Sequence, residues 1–208
     1  KRITQDPNLV LYLPFEEGTG TMTKDLSGWG NHGTLVNGPT WTTGRAGKCL
    51  SFDGVDDYVN IPDSSSLDIT YAITIMMWIK RQPTSSLYPV ILTKESAGAG
   101  FIIHLINTDE VEFKINSNDT NAAITTNANI PEDTWTFLVC TFDGNVLRVY
   151  INAVEKATRN WTTSIGTNNM PIQLGFYTGS SGVAFNGLMD EVRIYNRALS
   201  ASEIQNHY

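Results

Sequence analysis

The feature that most constrains the fold is the alternation of apolar and polar residues in many short segments. In residues 73–80 (ITIMMWIK), the odd-numbered side chains are isoleucine or methionine, whereas the even-numbered ones include threonine, tryptophan and lysine. A period of two indicates a β-strand with one buried face. Between turns rich in glycine, asparagine and aspartate, similar segments recur at residues 101–105, 111–115, 135–142 and 147–151.

The helical signal is confined to the C-terminus. Ser200 and Glu203 form a capping box, which predicts a short helix over residues 201–207. Short strands at this spacing, with no longer helical period, predict an all-β fold: a two-sheet antiparallel jelly-roll sandwich with a short C-terminal helical turn. Residues 1–208 are expected to form a single domain, because β-sandwiches of this length are commonly one unit.

Composition argues against two classes of partner. The net charge of -7 and the pI near 4.9 disfavour nucleic acid and anionic membranes, both of which require basic patches. No apolar run approaches the roughly 18 residues of a membrane span. We therefore expect no nucleic-acid partner and no membrane partner. The chain begins without a methionine or a signal peptide, so we expect it to be a segment of a larger protein.

Neither the cysteines nor the sequons indicate a function. Cys49 and Cys140 lie in predicted strands among apolar neighbours, where they are either bridged or, as we favour, buried free thiols. The sequons at Asn118 and Asn160 are attributed to chance, because the chain is rich in asparagine and threonine.

One carboxylate in the last predicted strand needs a partner. In residues 187–200 (GLMDEVRIYNRALS), the alternation puts Asp190 on the same inward face as Val192 and Ile194. Burying an unpaired charge is costly. Asp190 is therefore predicted to pair with a cation, to accept hydrogen bonds from backbone N–H groups, or to bind a metal.

Short motifs follow one another in an order that resembles a known family. They are residues 11–18 (LYLPFEEG), 25–35 (DLSGWGNHGTL), 47–59 (GKCLSFDGVDDYV), 73–80, 135–144 (WTFLVCTFDG) with 147–152 (LRVYIN), and 187–200. Together they resemble the laminin G-like, concanavalin A-like jelly-roll superfamily, specifically domains appended to bacterial, archaeal and viral extracellular proteins. The resemblance covers the chain nearly end to end. It implies the jelly-roll fold and an extracellular or cell-surface location, and it says little about the ligand.

The resemblance also implies a structural calcium ion. In catalytic and lectin relatives, calcium is held by an acidic residue after the first strand, a carbonyl in a later turn and the aspartate of the last strand. Carried over, the ligands are Glu16, Gly54 through its carbonyl, Asp53 and Asp190. Such oxygen ligands are those that calcium prefers. The alternative is a metal-free Asp190 held by hydrogen bonds.

Two positions depart from the family pattern. Trp29 stands where relatives usually have a small or polar residue, so its ring either covers the core or offers a stacking surface. Ala153 replaces a glycine, which puts the geometry of that turn in doubt, because alanine resists positive φ.

Catalysis has little support in the sequence. A glycoside hydrolase needs two carboxylates that flank the scissile bond, and the nearest candidates are Glu110 and Glu112, which share one face of a predicted strand. They do not form the E-x-D-x-x-E pattern of catalytic relatives. No Gly-x-Ser-x-Gly elbow accompanies the histidines. The chain is predicted not to be an enzyme.

The favoured function is a noncatalytic binding module, most plausibly for carbohydrate. Sugar sites combine an aromatic platform with polar side chains, and two surfaces qualify. The candidates on the expected concave face are Trp78, Lys80, His104, Arg148 and Tyr150, and those on the loop rim are Trp29, Tyr88, Trp161 and Tyr177. Core packing competes with ligand binding for each aromatic residue and is favoured for Trp78. The expected partners are a carbohydrate or glycoprotein ligand and other domains of the same polypeptide. The alternative function is a protein-binding adhesion or assembly domain.

Overall fold

Alternating side chains produce sixteen strands in the residues that the structure describes. The computed structural model describes residues 6–107, 109–116, 123–125 (backbone only), 130–180 and 183–208, so the sequon at Asn118 lies outside the described residues. The strands are β1 (Leu9–Leu13), β2 (Met22–Thr23), β3 (Gly33–Val36), β4 (Thr40–Thr43), β5 (Lys48–Asp53), β6 (Tyr58–Ile61), β7 (Ile73–Arg81), β8 (Val90–Ser96), β9 (Ala99–Ile106), β10 (Glu110–Ile115), β11 (Ala123–Thr125), β12 (Thr136–Phe142), β13 (Val146–Ile151), β14 (Val154–Asn160), β15 (Ile172–Leu174) and β16 (Asn186–Tyr195). A 3-10 turn spans Ser65–Leu67, and the helix α1 spans Ala201–His207.

The strands form two antiparallel sheets of eight strands each. The first sheet has the order β14-β13-β12-β7-β16-β5-β4, and β1 also pairs with β16. The second sheet has the order β11-β10-β9-β8-β15-β6-β3-β2. Non-consecutive neighbours such as β7 and β16 show that the chain crosses between the sheets, as a jelly roll requires. The predicted all-β sandwich is confirmed.

The core lies between the sheets and follows the alternation seen in the sequence. Ile73, Ile75, Met77 and Ile79 of β7 are almost fully buried in this core, as predicted. Cys140 joins the same cluster. Both cysteines are free and buried, which confirms the favoured interpretation.

The helix covers the outer face of the first sheet. Its predicted capping box is present: the Ser200 side chain accepts from the Glu203 N–H, and the Glu203 carboxylate accepts from the Ser200 N–H. Ile204 is the buried helical residue and packs in a second apolar cluster with Trp78 and Tyr150. This outer face is therefore occupied by the chain's own C-terminus.

A β-bulge in β16 reverses the side-chain alternation around Asp190. Asp190 lies opposite Trp78 and Arg193 lies opposite Met76, so Glu191 and Val192 of β16 face the single residue Met77 of β7. The extra residue, Glu191, has a φ of 56°. The prediction that Asp190 shares the inward face with Val192 and Ile194 is wrong, because the bulge turns Asp190 to the outer face. Asp190 is nevertheless completely buried.

The turn between β13 and β14 keeps its geometry without glycine. Asn152 and Ala153 have φ values of 52° and 60°, both in the left-handed region. The Asn152 carboxamide supports the turn, because its Oδ1 accepts from the Phe137 N–H at 2.9 Å. Ala153 therefore adopts a left-handed conformation that glycine adopts more readily, at an energetic cost.

Candidate functional site

A cleft of about 410 Å³ contains two exposed aromatic rings. Trp29 is 56% exposed and Tyr71 is 62% exposed, and both line the cleft. The remaining lining residues are Val10, Ser65, Ser66, Asp68, Ile69, Thr70, Ala72 and Asn196. Hydroxyl, carboxylate and carboxamide groups therefore accompany the rings. Clefts of this size and mixed lining are typical of small-ligand sites.

The loop that presents Trp29 is organised by the buried carboxylate of Asp25. Asp25 accepts hydrogen bonds from the backbone N–H groups of Tyr12 (2.9 Å), Ser27 (2.8 Å) and Asn31 (2.9 Å), and from the Ser27 hydroxyl (2.6 Å). Gly28 and Gly30 on either side of Trp29 have positive φ, which allows the sharp turns. The hydrogen bonds of Asp25 and the turns at Gly28 and Gly30 thus fix the loop that carries the Trp29 ring.

Asn31 connects this loop to the segment on the other side of the cleft. Its Nδ2 donates to the Val10 carbonyl at 2.8 Å and to the Ser66 hydroxyl at 2.9 Å, and its Oδ1 accepts from the Ser64 hydroxyl at 2.7 Å. Because Asn31 is buried, these bonds are shielded from water. The two walls of the cleft are therefore fixed relative to each other.

Tyr71 rests on the tight turn between β12 and β13. A Cβ atom at Gly144 would lie 2.6–3.0 Å from atoms of the Tyr71 ring, so the ring lies directly against the glycine backbone. Gly144 has a φ of 91°, which a side chain would strain. Only glycine fits this position, and it keeps the Tyr71 ring in place while one side stays exposed.

The floor of the cleft includes Asp68, which lies near a buried lysine. The Lys94 side chain is 3% exposed, and its ammonium donates to Asp63 Oδ1 (2.7 Å) and to the carbonyls of Asn168 (2.7 Å) and Met170 (3.1 Å). Asp68 Oδ1 lies 3.6 Å from the ammonium and has no hydrogen-bond partner among the described residues. Lys94 therefore ties together the segments beneath the cleft.

The other predicted rim aromatics do not line this cleft. Tyr88 is 51% exposed and meets His104 edge to face at 6.0 Å. Trp161 packs on the main core, and its Nε1 is buried without a partner among the described residues. Tyr177 packs against Gly179, and burial raises its pKa. Of the four rim candidates, only Trp29 lies at the cleft.

The predicted concave-face set is divided between the two sheets. Trp78, Lys80, Arg148 and Tyr150 belong to the first sheet, whereas His104 belongs to the second. Trp78 is 8% exposed, because Tyr208 stacks on it at 5.6 Å and the Arg45 guanidinium lies 4.7 Å from its ring centre. The prediction that these five residues form one ligand surface is therefore corrected.

The polar members of that set are engaged with neighbouring carboxylates. Arg148 forms an ion pair with Asp143 at 2.7 Å. The hydroxyl of Tyr150, which is 4% exposed, donates to Glu155 at 3.1 Å. Lys80 pairs with Asp133 at 2.8 Å. These three side chains are therefore engaged in ion pairs or hydrogen bonds within the protein.

Glu112, one of the two carboxylates considered for catalysis, pairs with two basic side chains. Glu112 Oε2 lies 2.5 Å from His104 Nε2 and 2.9 Å from Lys114 Nζ. Burial alone would raise the pKa of Glu112, but hydrogen bonds from His104 and Lys114 outweigh it and lower the pKa. A general acid of a glycoside hydrolase needs the opposite shift. Glu112 is therefore poorly suited to that role, even though Glu110 shares its face.

A second functional candidate is the pair of carboxylates at the turn of residues 44–48. Asp190 Oδ2 accepts from the backbone N–H groups of Arg45 at 2.9 Å and Ala46 at 3.5 Å. Glu16 Oε2 accepts from the Lys48 N–H at 3.1 Å. A Cβ atom at Gly47 would lie 2.2 Å from Glu16 Oε1, so only glycine allows this approach. Of the predicted alternatives, the backbone N–H groups are what the structure places beside Asp190.

The Asp190 carboxylate is incompletely compensated. Its Oδ1 is buried and has no hydrogen-bond partner among the described residues. Burial raises its pKa to about 6, hydrogen bonds from Arg45 and Ala46 oppose the rise, and the charges of Glu191 and Glu16 add to it. A buried oxygen beside a second carboxylate has the chemistry of a calcium site. Glu16 and Asp190 thus fit the ion that the resemblance implies.

Asp53 and Gly54 lie elsewhere. Asp53 ends β5 opposite Asn186, whereas Glu16 meets the start of β5 at Lys48. Five residues of strand separate the two places by roughly 16 Å. Asp53 instead groups with Asp56 and Asp57, whose carboxylate oxygens lie within 4.8 Å of one another. The four predicted ligands therefore do not form a single site, because Glu16 lies at the start of β5 and Asp53 lies at its end.

The comparisons with known proteins identify the family. The sequence profile of the concanavalin A-like lectin/glucanases superfamily matches residues 53–205. The chain belongs to this superfamily. No helix among the described residues is long and apolar enough to cross a membrane. A sequence comparison with curated proteins finds no match.

Three domains of known structure share the fold of this chain. The binding domain of Paraclostridial mosquitocidal protein 1 superposes with a TM-score of 0.77 at 20% identity, over 96% of this chain and 51% of that one. Domain 4 of AbnA, a GH43 extracellular arabinanase from Geobacillus stearothermophilus solved with arabinotriose, has a TM-score of 0.75 at 22% identity, over 96% and 97% of the two chains. The botulinum neurotoxin serotype G binding domain has a TM-score of 0.73 at 16% identity, over 97% and 50%. The chain thus spans about half of each toxin binding domain and nearly all of the arabinanase domain.

The sequence interpretation missed most of the cleft. Tyr71, Asp68 and Asn196 lie in connecting segments, outside the alternating pattern that defines strands. The turn of residues 44–48 was also missed, although the pair Gly44 and Gly47 gave a signal. A Cβ atom at Gly44 would lie 2.6 Å from Asp190 Oδ2, which explains why glycine occupies that position.

Proposed function

We propose that this chain is a noncatalytic carbohydrate-binding module that holds a glycan in the cleft lined by Trp29 and Tyr71. The observation that carries the proposal is the convergence of two exposed rings on one polar cleft. The exposed aromatic side chains among the described residues are Trp29, Tyr71, Tyr88 and Tyr208. Two of these four line the 410 Å³ cleft together.

The chemistry of the cleft suits a sugar. Pyranose and furanose rings have apolar C–H faces surrounded by hydroxyl groups, so they stack on aromatic rings and hydrogen-bond at their edges. Ser65, Thr70 and Asn196 supply donors and acceptors beside the rings. The hydrogen bonds of Asp25 and Asn31 fix the walls before binding, which reduces the entropy lost on binding. The arabinotriose complex of the AbnA domain supports a carbohydrate ligand for this fold.

The noncatalytic assignment rests on the carboxylates. His104 and Lys114 favour the ionised form of Glu112, and Asp68 is the one carboxylate among the described residues that line the cleft. Hydrolysis of a glycosidic bond requires two carboxylates across the sugar. The module is therefore assigned to binding, as part of a larger extracellular protein whose other domains act on the same target.

We further propose that Glu16 and Asp190 hold a structural calcium ion. The orphaned Oδ1 of Asp190 and the neighbouring Glu16 carboxylate supply the oxygen ligands. A bound ion would neutralise both charges at the turn of residues 44–48. Glu16 follows β1 and Asp190 lies in β16, so the ion would tie together segments from the two ends of the chain. This role concerns stability and leaves ligand choice to the cleft.

Glycan binding tests the proposal directly. The wild-type chain is screened on a glycan array, and the affinity of the strongest ligand is measured by calorimetry for Trp29→Ala, Tyr71→Ala and the control Tyr88→Ala. Loss of one stacking ring is expected to weaken binding by about tenfold. The control should bind as the wild type does. The proposal fails if Tyr88→Ala weakens binding as much as the cleft variants, or if the chain binds no glycan and instead captures a protein.

A further inference from the structure

We propose that the cleft selects neutral glycans over acidic ones, and that Asp68 determines this preference. The inference rests on the proposed carbohydrate function and adds the chemical class of the ligand. It follows from the charge of the cleft floor and from the way the structure fixes that charge.

The position of Asp68 is set by its neighbours in sequence. Leu67 and Ile69 on either side are 1% and 6% exposed and anchor the chain in the core. Asp68 also closes the 3-10 turn, because its N–H donates to the Ser65 carbonyl at 3.4 Å. Its side chain retains 35% exposure and lines the cleft. The backbone at Asp68 is therefore anchored to the core on both sides.

Lys94 does not cancel the charge of Asp68. An ammonium group has three donors, and those of Lys94 are matched by Asp63 and the carbonyls of Asn168 and Met170. The 3.6 Å contact with Asp68 is therefore electrostatic and leaves Oδ1 of that carboxylate without a hydrogen bond from a described residue. The carboxylates of Asp63 and Asp68 share the ammonium group of Lys94, so these three side chains together keep one negative charge.

Among the residues that the structure describes, no basic side chain lines the cleft to offset this charge. A uronic acid or a sulfated sugar would bring a second anion close to Asp68 in a partly desolvated site, which is unfavourable. A neutral sugar offers hydroxyl donors, and hydrogen bonds to a carboxylate are roughly twice as strong as those between neutral groups. Asp68 therefore favours hydroxyl-rich, uncharged rings and opposes acidic ones.

The test compares one glycan in two charge states. The strongest neutral polysaccharide from the array is oxidised at its primary alcohols to carboxylates, and reduction of the product back to alcohols controls for chain damage. The wild type is expected to bind the neutral form at least about tenfold more tightly than the oxidised form. Asp68→Asn should bring the two affinities within about threefold of each other. Asp56→Asn, the same change at an exposed position outside the cleft, should leave the ratio unaltered.

Salt dependence gives a second measurement on the unaltered protein. Raising the ionic strength screens charge repulsion, so binding of the oxidised form should strengthen while binding of the neutral form stays constant. The inference is overturned if the wild type binds both forms equally, or if Asp68→Asn keeps the wild-type ratio. Binding that depends on Trp29 but lacks the charge preference refutes this inference alone. Absence of any Trp29-dependent glycan binding refutes the proposed function itself.

Discussion

Replacing Asp190 by asparagine should stabilise the calcium-free protein at neutral pH. The buried carboxylate has a pKa of about 6, against 3.8 for the exposed group. This difference corresponds to about 3 kcal/mol of free energy between the two protonation states. Asparagine occupies the same volume without the charge and can still accept from the Arg45 N–H.

The sign of the pH dependence follows from proton binding. The folded calcium-free protein binds the Asp190 proton more tightly than the unfolded chain does. The contribution of Asp190 to the free energy of unfolding is therefore highest below pH 3.8 and falls as pH rises through about 6. Asp190→Asn removes this fall. In a chelator the variant should match the wild type near pH 4 and exceed it by up to about 3 kcal/mol at pH 7.5.

Calcium should largely remove this advantage of the variant at pH 7.5. At a calcium concentration of 100 times the dissociation constant, the wild type gains about 2.7 kcal/mol, and the variant gains much less because it lacks one charged ligand. Urea unfolding with chelator and with calcium, at pH 4 and pH 7.5, measures all of these values. Asp133→Asn, which removes the charge of an exposed carboxylate, serves as the surface control. The reasoning is refuted if calcium stabilises Asp190→Asn as much as the wild type, or if the chelated variant is destabilised equally at both pH values.

Three further substitutions test individual parts of the structure by thermal or urea unfolding. Ala153→Gly should stabilise the protein by about 1 kcal/mol, because glycine adopts a φ of 60° without strain; Ala157→Gly within β14 should destabilise it, and the same sign for both would contradict the argument. Asp25→Ala should cost at least about 3 kcal/mol, since it leaves the N–H groups of Tyr12, Ser27 and Asn31 without their acceptor, and glycan binding should fall with it. Lys94→Met should cost about 1–3 kcal/mol, because the carbonyls of Asn168 and Met170 and the carboxylate of Asp63 would lose their ammonium donor; a change under about 1 kcal/mol would show that the ammonium is dispensable.

The fold could be predicted from the sequence because its determinants are local. Strand alternation in β7 and the Ser200–Glu203 capping box are visible without knowledge of long-range contacts, and the structure confirms both. The orientation of Asp190 could not be predicted, because the bulge at Glu191 has no sequence signature that overrides a period of two. A one-residue insertion moves a side chain to the opposite face of the sheet.

The site was harder to predict because loops assemble it. Trp29 was identified as a departure from the family pattern, but its partners Tyr71 and Asp68 are about 40 residues away in the sequence and are brought to it through Asn31 and Lys94. The sequence allows Trp78 either to bind a ligand or to pack in the protein, and the Tyr208 ring that stacks on it supports packing. Contacts across such distances depend on tertiary packing and leave no periodic signal.

The most direct test of the central claim is to locate a bound glycan by nuclear magnetic resonance. Intermolecular Overhauser effects between sugar protons and side chains report contacts at short range. With the strongest ligand from the array, we expect contacts to the Trp29 indole and the Tyr71 ring, and amide shift changes at Asn196. Contacts at Tyr88 and His104 instead, with the cleft unperturbed, would contradict the account.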